Sequence, residues 1–254
     1  MAESTLSIGY EELLIEIGDF LGYGATKAAW SAEALAEVDR YVQAGVRQFY
    51  FPPAVDGVEV GYQWSFLRPQ STLDTVADTA SYDLDDDFGR LVGDLHYTDN
   101  GLAVCVQVVN EGQMLSLIAR DDLAARPQYA SIAFKESDGT TGQRMEVTFY
   151  PTPDIVYNLS YQYEAYNGKL TSSLAYPLGG MRHSEAILES CLAIAEQRAN
   201  DEKGIHWDQF SRLLAASVML DRRQGTRFFG HMNGGQGVQE RRRSGDVTYK
   251  TITW

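Results

Sequence analysis

Cysteine is nearly absent from this chain: 254 residues hold only Cys105 and Cys191. That count excludes a disulfide framework and a cysteine-built metal site, and it fits a reducing compartment. Cys105 falls in a strand-like run and Cys191 on a helical stripe, so both are expected to be small buried apolar residues. Histidine is scarce as well. His96, His183, His206 and His231 are scattered, and none forms a pair at metal-ligand spacing with Cys or Glu. Long apolar runs are missing: nowhere do eighteen apolar residues stand together, and residues 1–8 lack a basic segment followed by an apolar one. Neither a membrane span nor a signal peptide is therefore expected. Positive charge is short too, with 21 Lys and Arg against 35 Asp and Glu and a net charge of −14. A protein that coats nucleic acid needs clustered cations to neutralise phosphates, so this balance argues against one. The same acidity keeps a chain soluble, and it also suits the lining of a passage that nucleic acid must traverse without sticking.

What is present is helical periodicity at both ends and strand periodicity between them. Tyr10, Leu13, Leu14, Ile17, Phe20 and Leu21 recur at helical spacing until Gly22-Tyr23-Gly24 stops the run. Ser31 is a candidate N-cap with Glu33 in the first turn, and Leu35, Val38, Val42, Val46 and Phe49 mark a second amphipathic helix that Pro52-Pro53 terminates. A second pair spans 176–223. Ser184 can cap its first helix, with Ile187, Leu188, Cys191, Leu192 and Ala195 as the apolar stripe and Gly204 as the stop. Its second helix starts near Trp207 and carries Phe210, Leu213, Leu214, Ser217 and Val218 before Asp221-Arg222-Arg223, where the arginines suit the negative helix end.

Between the pairs the period drops to two. Runs at 62–68, 70–76, 102–109, 113–119, 129–135, 144–150 and 156–163 are rich in β-branched and aromatic residues and are expected to be strands. Asp99-Asn100-Gly101, Glu111-Gly112 and Asp138-Gly139 offer turns between neighbours, and 121–125 a short helical turn. The expected fold class is α+β: an antiparallel four-helix bundle with an inserted, mainly antiparallel β region and an extended C-terminal arm. Its segments are 1–55 (first helix pair), 56–175 (β region), 176–225 (second pair) and 226–254 (arm); two independent domains are the alternative. In the arm, Gly230, Gly234, Gly235 and Gly237 break regular structure and Arg241, Arg242 and Arg243 follow. From Asp221 onward seven basic residues face three acidic ones. Val247, Tyr249 and Thr251 alternate with Thr248, Lys250 and Ile252 ahead of Trp254, a strand without a local partner. It is expected to pair with a neighbouring subunit or another protein, the alternative being a solvated tail.

No stretch carries catalytic chemistry. The run Asp83, Asp85, Asp86, Asp87 lacks the glycine and distal Glu of a calcium loop and is expected to be a solvated turn. His183-Ser184-Glu185 has triad letters side by side, whereas a nucleophile needs its base across the fold. Gly234-Gly235-Gln236-Gly237 has no preceding strand and no lysine-bearing helix, so it is not a phosphate loop. No cofactor is expected. Fifteen tyrosines, many on strand faces, fit a core or a subunit interface. A carbohydrate- or receptor-binding tail component is the rival reading, and it requires Trp64, Tyr157 and Tyr161 to be exposed.

Several phrases resemble tailed-phage head-to-tail adaptor (connector or neck) proteins over about residues 8–225. They are Tyr10-Glu11-Glu12-Leu13-Leu14, Phe20-Leu21-Gly22-Tyr23-Gly24, Trp30-Ser31, Gln48-Phe49-Tyr50 with Pro52-Pro53, Tyr62-Gln63-Trp64-Ser65-Phe66-Leu67, Tyr82-Asp83-Leu84 through Asp87-Phe88, Phe149-Tyr150-Pro151-Thr152-Pro153, and Ser184-Glu185-Ala186-Ile187-Leu188-Glu189, with Asp85 standing where related sequences tend to have proline. The type is similar to the tail accessory factor and tubular protein A. The resemblance implies a non-enzymatic virion protein, assembled in the host cytoplasm, forming a twelve-subunit ring under the portal. Such a ring extends the DNA channel without specific DNA binding and carries a downstream neck or tail protein. It also implies that the arm, through Arg241, Arg242, Arg243, Val247, Tyr249, Lys250, Ile252 and Trp254, docks on the portal protein.

Overall fold

In a computed structural model, residues 4–224 are described apart from 56, 57, 59, 99–104, 122, 138 and 141. Helices α1 (Tyr10–Phe20) and α2 (Ala32–Tyr50) precede the strands, α3 (Glu111–Arg120) lies among them, and α4 (Met181–Asn200) and α5 (Ile205–Gln224) follow. The strands are β1 (Gln70–Asp74), β2 (Ser81–Asp83), β3 (Phe88–Leu91), β4 (Leu95–Tyr97), β5 (Cys105–Val108), β6 (Tyr129–Phe134), β7 (Met145–Tyr150) and β8 (Asn158–Ala165).

The apolar stripes of α1, α2, α4 and α5 meet in one core, built on Leu13, Ile17, Val42, Phe49, Ile187, Phe210 and Leu214. Ser31 caps α2 by accepting from the Ala34 N–H at 3.1 Å. The α2–α4 crossing is close because position 45 is glycine: a Cβ there would lie 2.4 Å from the Cys191 Cα. Ser190 donates to the Gly45 carbonyl at 2.8 Å in the same crossing. Ser184 is not the cap of α4. The helix starts three residues earlier, after Gly180, and Ser184 instead accepts from the Ile8 N–H, tying the N-terminal segment to α4. The α4–α5 turn runs through Asp201 in the left-handed conformation, and α5 starts at Ile205, two residues before Trp207. Glu196 reaches back to accept from the His206 N–H, and its carboxylate lies where a Cβ at position 204 would stand, so a larger residue there would displace it.

The β part departs most from expectation. An antiparallel four-helix bundle with an inserted, mainly antiparallel region is not the architecture; among the described residues five α-helices accompany a mixed, curled sheet of eight strands in the order β1-β8-β4-β5-β6-β7-β2, with β3 also on β8. β5 and β6 are parallel, and α3 makes the crossover that a parallel pair requires. The 113–119 run is therefore helix, not strand. Asn110 caps it by accepting from the Gln113 N–H at 2.8 Å, and Met114 is its buried anchor. Glu111-Gly112 consequently forms the first turn of α3 instead of a hairpin. Residues 62–68 are not a strand either. They hold one short 3-10 turn, Ser65–Leu67, because Trp64 plunges into the helical core and its indole N–H donates to the Phe49 carbonyl at 3.1 Å. No helical turn stands at 121–125 among the described residues; Ala124 bridges Thr152.

β8 is the spine of the sheet. β1 lies on one of its edges in register from Gln70↔Gln162 to Asp74↔Asn158. β3 and β4 follow one another down the other edge, linked by the Val92 N–H donating to the Gln162 carbonyl at 2.8 Å. A second core of Leu95, Val106, Val147, Phe149 and Leu159 with the β8 tyrosines lies on this sheet.

Candidate interaction surfaces

The arm residues Arg241, Arg242, Arg243, Val247, Tyr249, Lys250, Ile252 and Trp254 lie outside the described residues. The candidate surfaces of residues 4–224 begin with the carboxylates. In the acidic run each one has its own donor: Lys135 Nζ lies 2.7 Å from Asp83, Arg144 pairs with Asp86 at 3.0 Å, and the hydroxyls of Tyr161 and Tyr163 donate to Asp85 and Asp87 at 3.0 and 2.8 Å. Among the described residues no group of three His, Cys, Asp or Glu is placed to hold a metal ion.

Tyrosine hydroxyls are the recurrent partner of acid in this chain. Tyr10 donates to Asp39 at 2.7 Å, Tyr157 to Asp154 at 2.7 Å, Tyr62 to Asp221 at 2.8 Å, and Tyr23 and Tyr41 both to Glu37. A carboxylate accepting from a phenol satisfies a buried polar tip without using a cation. Burial, and then the acceptor carboxylate, pushes Tyr62 and Tyr157 up to about 12, and raises Tyr10 and Tyr163 further. Burial also lifts Tyr161 to about 12, against a hydrogen bond with Ser71 that opposes it.

The aromatic side chains of the rival reading are not a platform. Trp64, Tyr157 and Tyr161 are 0%, 8% and 4% exposed. Trp64 instead centres a cage of Phe49, Tyr62, Phe66 and His183, with ring centroids 4.6 to 5.4 Å away. His183 is buried in that cage with Nδ1 unpartnered among the described residues, and burial lowers its pKa while the Asp221 charge opposes the shift. Asp221, near the end of α5, accepts from the Ser65 N–H and hydroxyl and from Tyr62, locking the Trp64 segment to the helices. Cys191 is buried, whereas Cys105 is only half-buried.

Among the hollows open to solvent, two large ones border the helices. One of about 630 Å³ lies between Ala54-Val55 and α5, where the Lys203 ammonium sits 3.9 Å over the Trp207 ring. The other, about 420 Å³, is bounded by α2, α4 and the segment that holds Lys169, and it gathers Arg40, Arg47, Lys169 and Arg198 with Asp39. Sequence reasoning missed this cationic group because its members come from three distant segments. The one visible trace was Arg40 and Arg47, seven apart on the side of α2 away from its apolar stripe.

Neither hollow gathers a nucleophile, a base and an orienting group, and the described surface is one of charged and apolar contact faces, with Leu115, Phe134 and Val156 among its exposed apolar residues. No described helix is long and apolar enough to cross a membrane. No curated protein matches the chain. A family model described as SU10 adaptor protein matches residues 8–234, a span that takes in every described helix and strand. With nearly all of the chain matched, and phage head-to-tail adaptors already resembled by its own sequence phrases, the protein belongs to the SU10 adaptor protein family of phage adaptors.

Proposed function

We propose that this chain is a structural, non-enzymatic component of the virion neck, related in type to the tail accessory factor and tubular protein A. It forms a ring, taken as twelve subunits, beneath the portal protein, extends the DNA channel and carries a downstream neck or tail protein. The observation that carries the reading is the family match over 8–234. The net charge of −14 supports it: a lumen faced by carboxylates repels phosphate and lets DNA slide with few sticking points. Helix faces supply ring contacts, and the arm, through Arg241, Arg242, Arg243, Val247, Tyr249, Lys250, Ile252 and Trp254, clamps the portal. Docking that orders such a segment couples folding to binding.

The test is co-expression with the portal of the same phage, copurification, and low-resolution imaging of the complex. A ring coaxial with the portal is expected, and a chain that never copurifies would sink the reading. Deleting residues 230–254 should leave a folded protein that no longer attaches; attachment at full strength refutes the clamp while leaving the ring standing.

A further inference from the structure

The cleft between α2 and α4 is an anomaly of charge. In a chain with 35 acidic and 21 basic residues, an exposed cation is expected to find a carboxylate nearby. Arg40, Arg47, Lys169 and Arg198 make no ion pair or hydrogen bond among the described residues, although the Glu37 carboxylate lies within range of the Arg40 charge; all four are exposed and all four line one cleft. The one acid in the cleft, Asp39, is already accepting from Tyr10 and from Gln43. The position of Lys169 is fixed. Buried Gln43 holds the backbone of Leu170 at both ends, accepting its N–H at 3.0 Å and donating to its carbonyl at 2.8 Å, which presses this segment against α2. Four like charges assembled on a braced scaffold repel one another, a cost that an incoming acidic surface relieves.

The matching surface is on α1. Glu12, Glu16 and Asp19 are exposed, stand at the i, i+4, i+7 spacing of one helical stripe opposite the buried Leu13, Leu14 and Ile17, and have no ion pair among the described residues. On α2 the residues at the same spacing are Arg40, Ala44 and Arg47. Each stripe spans eight residues, roughly 10 Å of helix rise. The small side chain of Ala44 lets a second helix approach between the two arginines. The two patches are different surfaces of one subunit, so joining them repeats head to tail, the contact type that closes rings.

We propose that the Arg40–Arg47–Lys169–Arg198 cleft receives the Glu12–Glu16–Asp19 face of a second copy of this chain. The inference rests on the ring reading and gives it a contact. The arm is an unsuitable occupant, since from Asp221 onward the sequence is itself basic.

The test uses the full chain in sedimentation velocity from micromolar to near-millimolar concentration, at low and high salt. Wild type should self-associate, and salt should weaken the association because these charges are solvent-exposed. Arg40→Glu with Arg47→Glu, or Glu16→Lys with Asp19→Lys, should each raise the dissociation constant about tenfold or more, since repulsion takes the place of attraction at two exposed pairs. An equimolar mixture of the two double variants should recover hetero-association, which misfolding of either could not produce. Circular dichroism, with the milder Arg40→Gln/Arg47→Gln pair, keeps folding separate from contact.

A chain that stays monomeric at every concentration, association indifferent to both charge reversals, or mixing without rescue overturns the proposal. Binding of duplex DNA that is lost in the Arg40→Glu/Arg47→Glu variant, without any self-association, overturns it in favour of phosphate. Portal copurification is scored separately, so a chain that attaches to the portal yet ignores the charge swap refutes this contact and not the adaptor reading.

Discussion

Asp221 should be the costliest single carboxylate to remove. It is 3% exposed and takes three donors: the Tyr62 hydroxyl at 2.8 Å, the Ser65 N–H at 3.0 Å and the Ser65 hydroxyl. Replacing it with alanine leaves at least the Ser65 N–H without an acceptor in a site closed to water, and it opens a small void. Hydrogen bonds to a charged group contribute about 1.5–3 kcal/mol each, but three that share one acceptor do not add in full. The donors left behind are neutral and no charge is stranded, so Asp221→Ala is expected to lose about 2–4 kcal/mol. For a chain of this size that corresponds to a fall in Tm on the order of 10 °C. Asp221→Asn keeps one accepting oxygen and should lose about half, and Tyr62→Phe, which removes a single hydroxyl, about 1 kcal/mol. Urea unfolding followed by tryptophan fluorescence measures all three, with Trp64 beside the lesion as a reporter. An Asp221→Ala variant within about 0.5 kcal/mol of wild type, the size of an ordinary surface change, would refute the claim that this carboxylate locks the 62–67 segment to α5.

Gly45→Ala should be severe for a surface-sized change, because its Cβ would meet the Cys191 Cα at 2.4 Å and backbone cannot rotate away. A loss of about 1–3 kcal/mol is expected in denaturant melts, and Cys191→Ala should not rescue it. The pH profile of stability should fall at both ends. Burial depresses His183, so the stability it contributes is complete above its unfolded value of 6.5 and is lost as pH drops through the lower folded value. His183→Gln should therefore flatten the slope of stability between pH 7 and 5. At the alkaline end the raised tyrosines contribute stability that is complete below pH 10 and is lost as pH climbs through about 12, so melts should steepen downward above pH 10.

The helices of the helical core were legible because their stripes are long: Leu13 to Leu21, Leu35 to Phe49 and Ile187 to Val218 repeat a 3.6 period over several turns, and Pro52-Pro53 and Gly204 punctuate them. β6, β7 and β8 were legible from alternation, as in Leu159, Tyr161 and Tyr163, all three of which are buried. The errors came where local patterns were degenerate. Leu115, Leu117 and Ala119 alternate as a strand would, and the decisive sign was Asn110 followed by Glu111, an N-cap and an acidic first turn. The aromatic richness of 62–68 suggested a pleated surface, but those rings leave the sheet altogether for the helical core. β3 and β4, interrupted by Gly89 and Gly93, are too short for any period to show. The cationic cleft was illegible for another reason: Gln43 brings Lys169 to Arg47, a pairing of positions 122 apart that only the folded chain creates.

β8 has a consequence for synthesis. As the chain leaves the ribosome, β1, β3 and β4 emerge well before the strand that all three must flank, and α2 waits longer still for α4. Nascent sticky faces on the first two helices thus stay uncovered until some 190 residues have been made, and closure of both layers comes late and nearly together. Co-expressed chaperones that shield apolar surface should therefore raise the yield of folded protein.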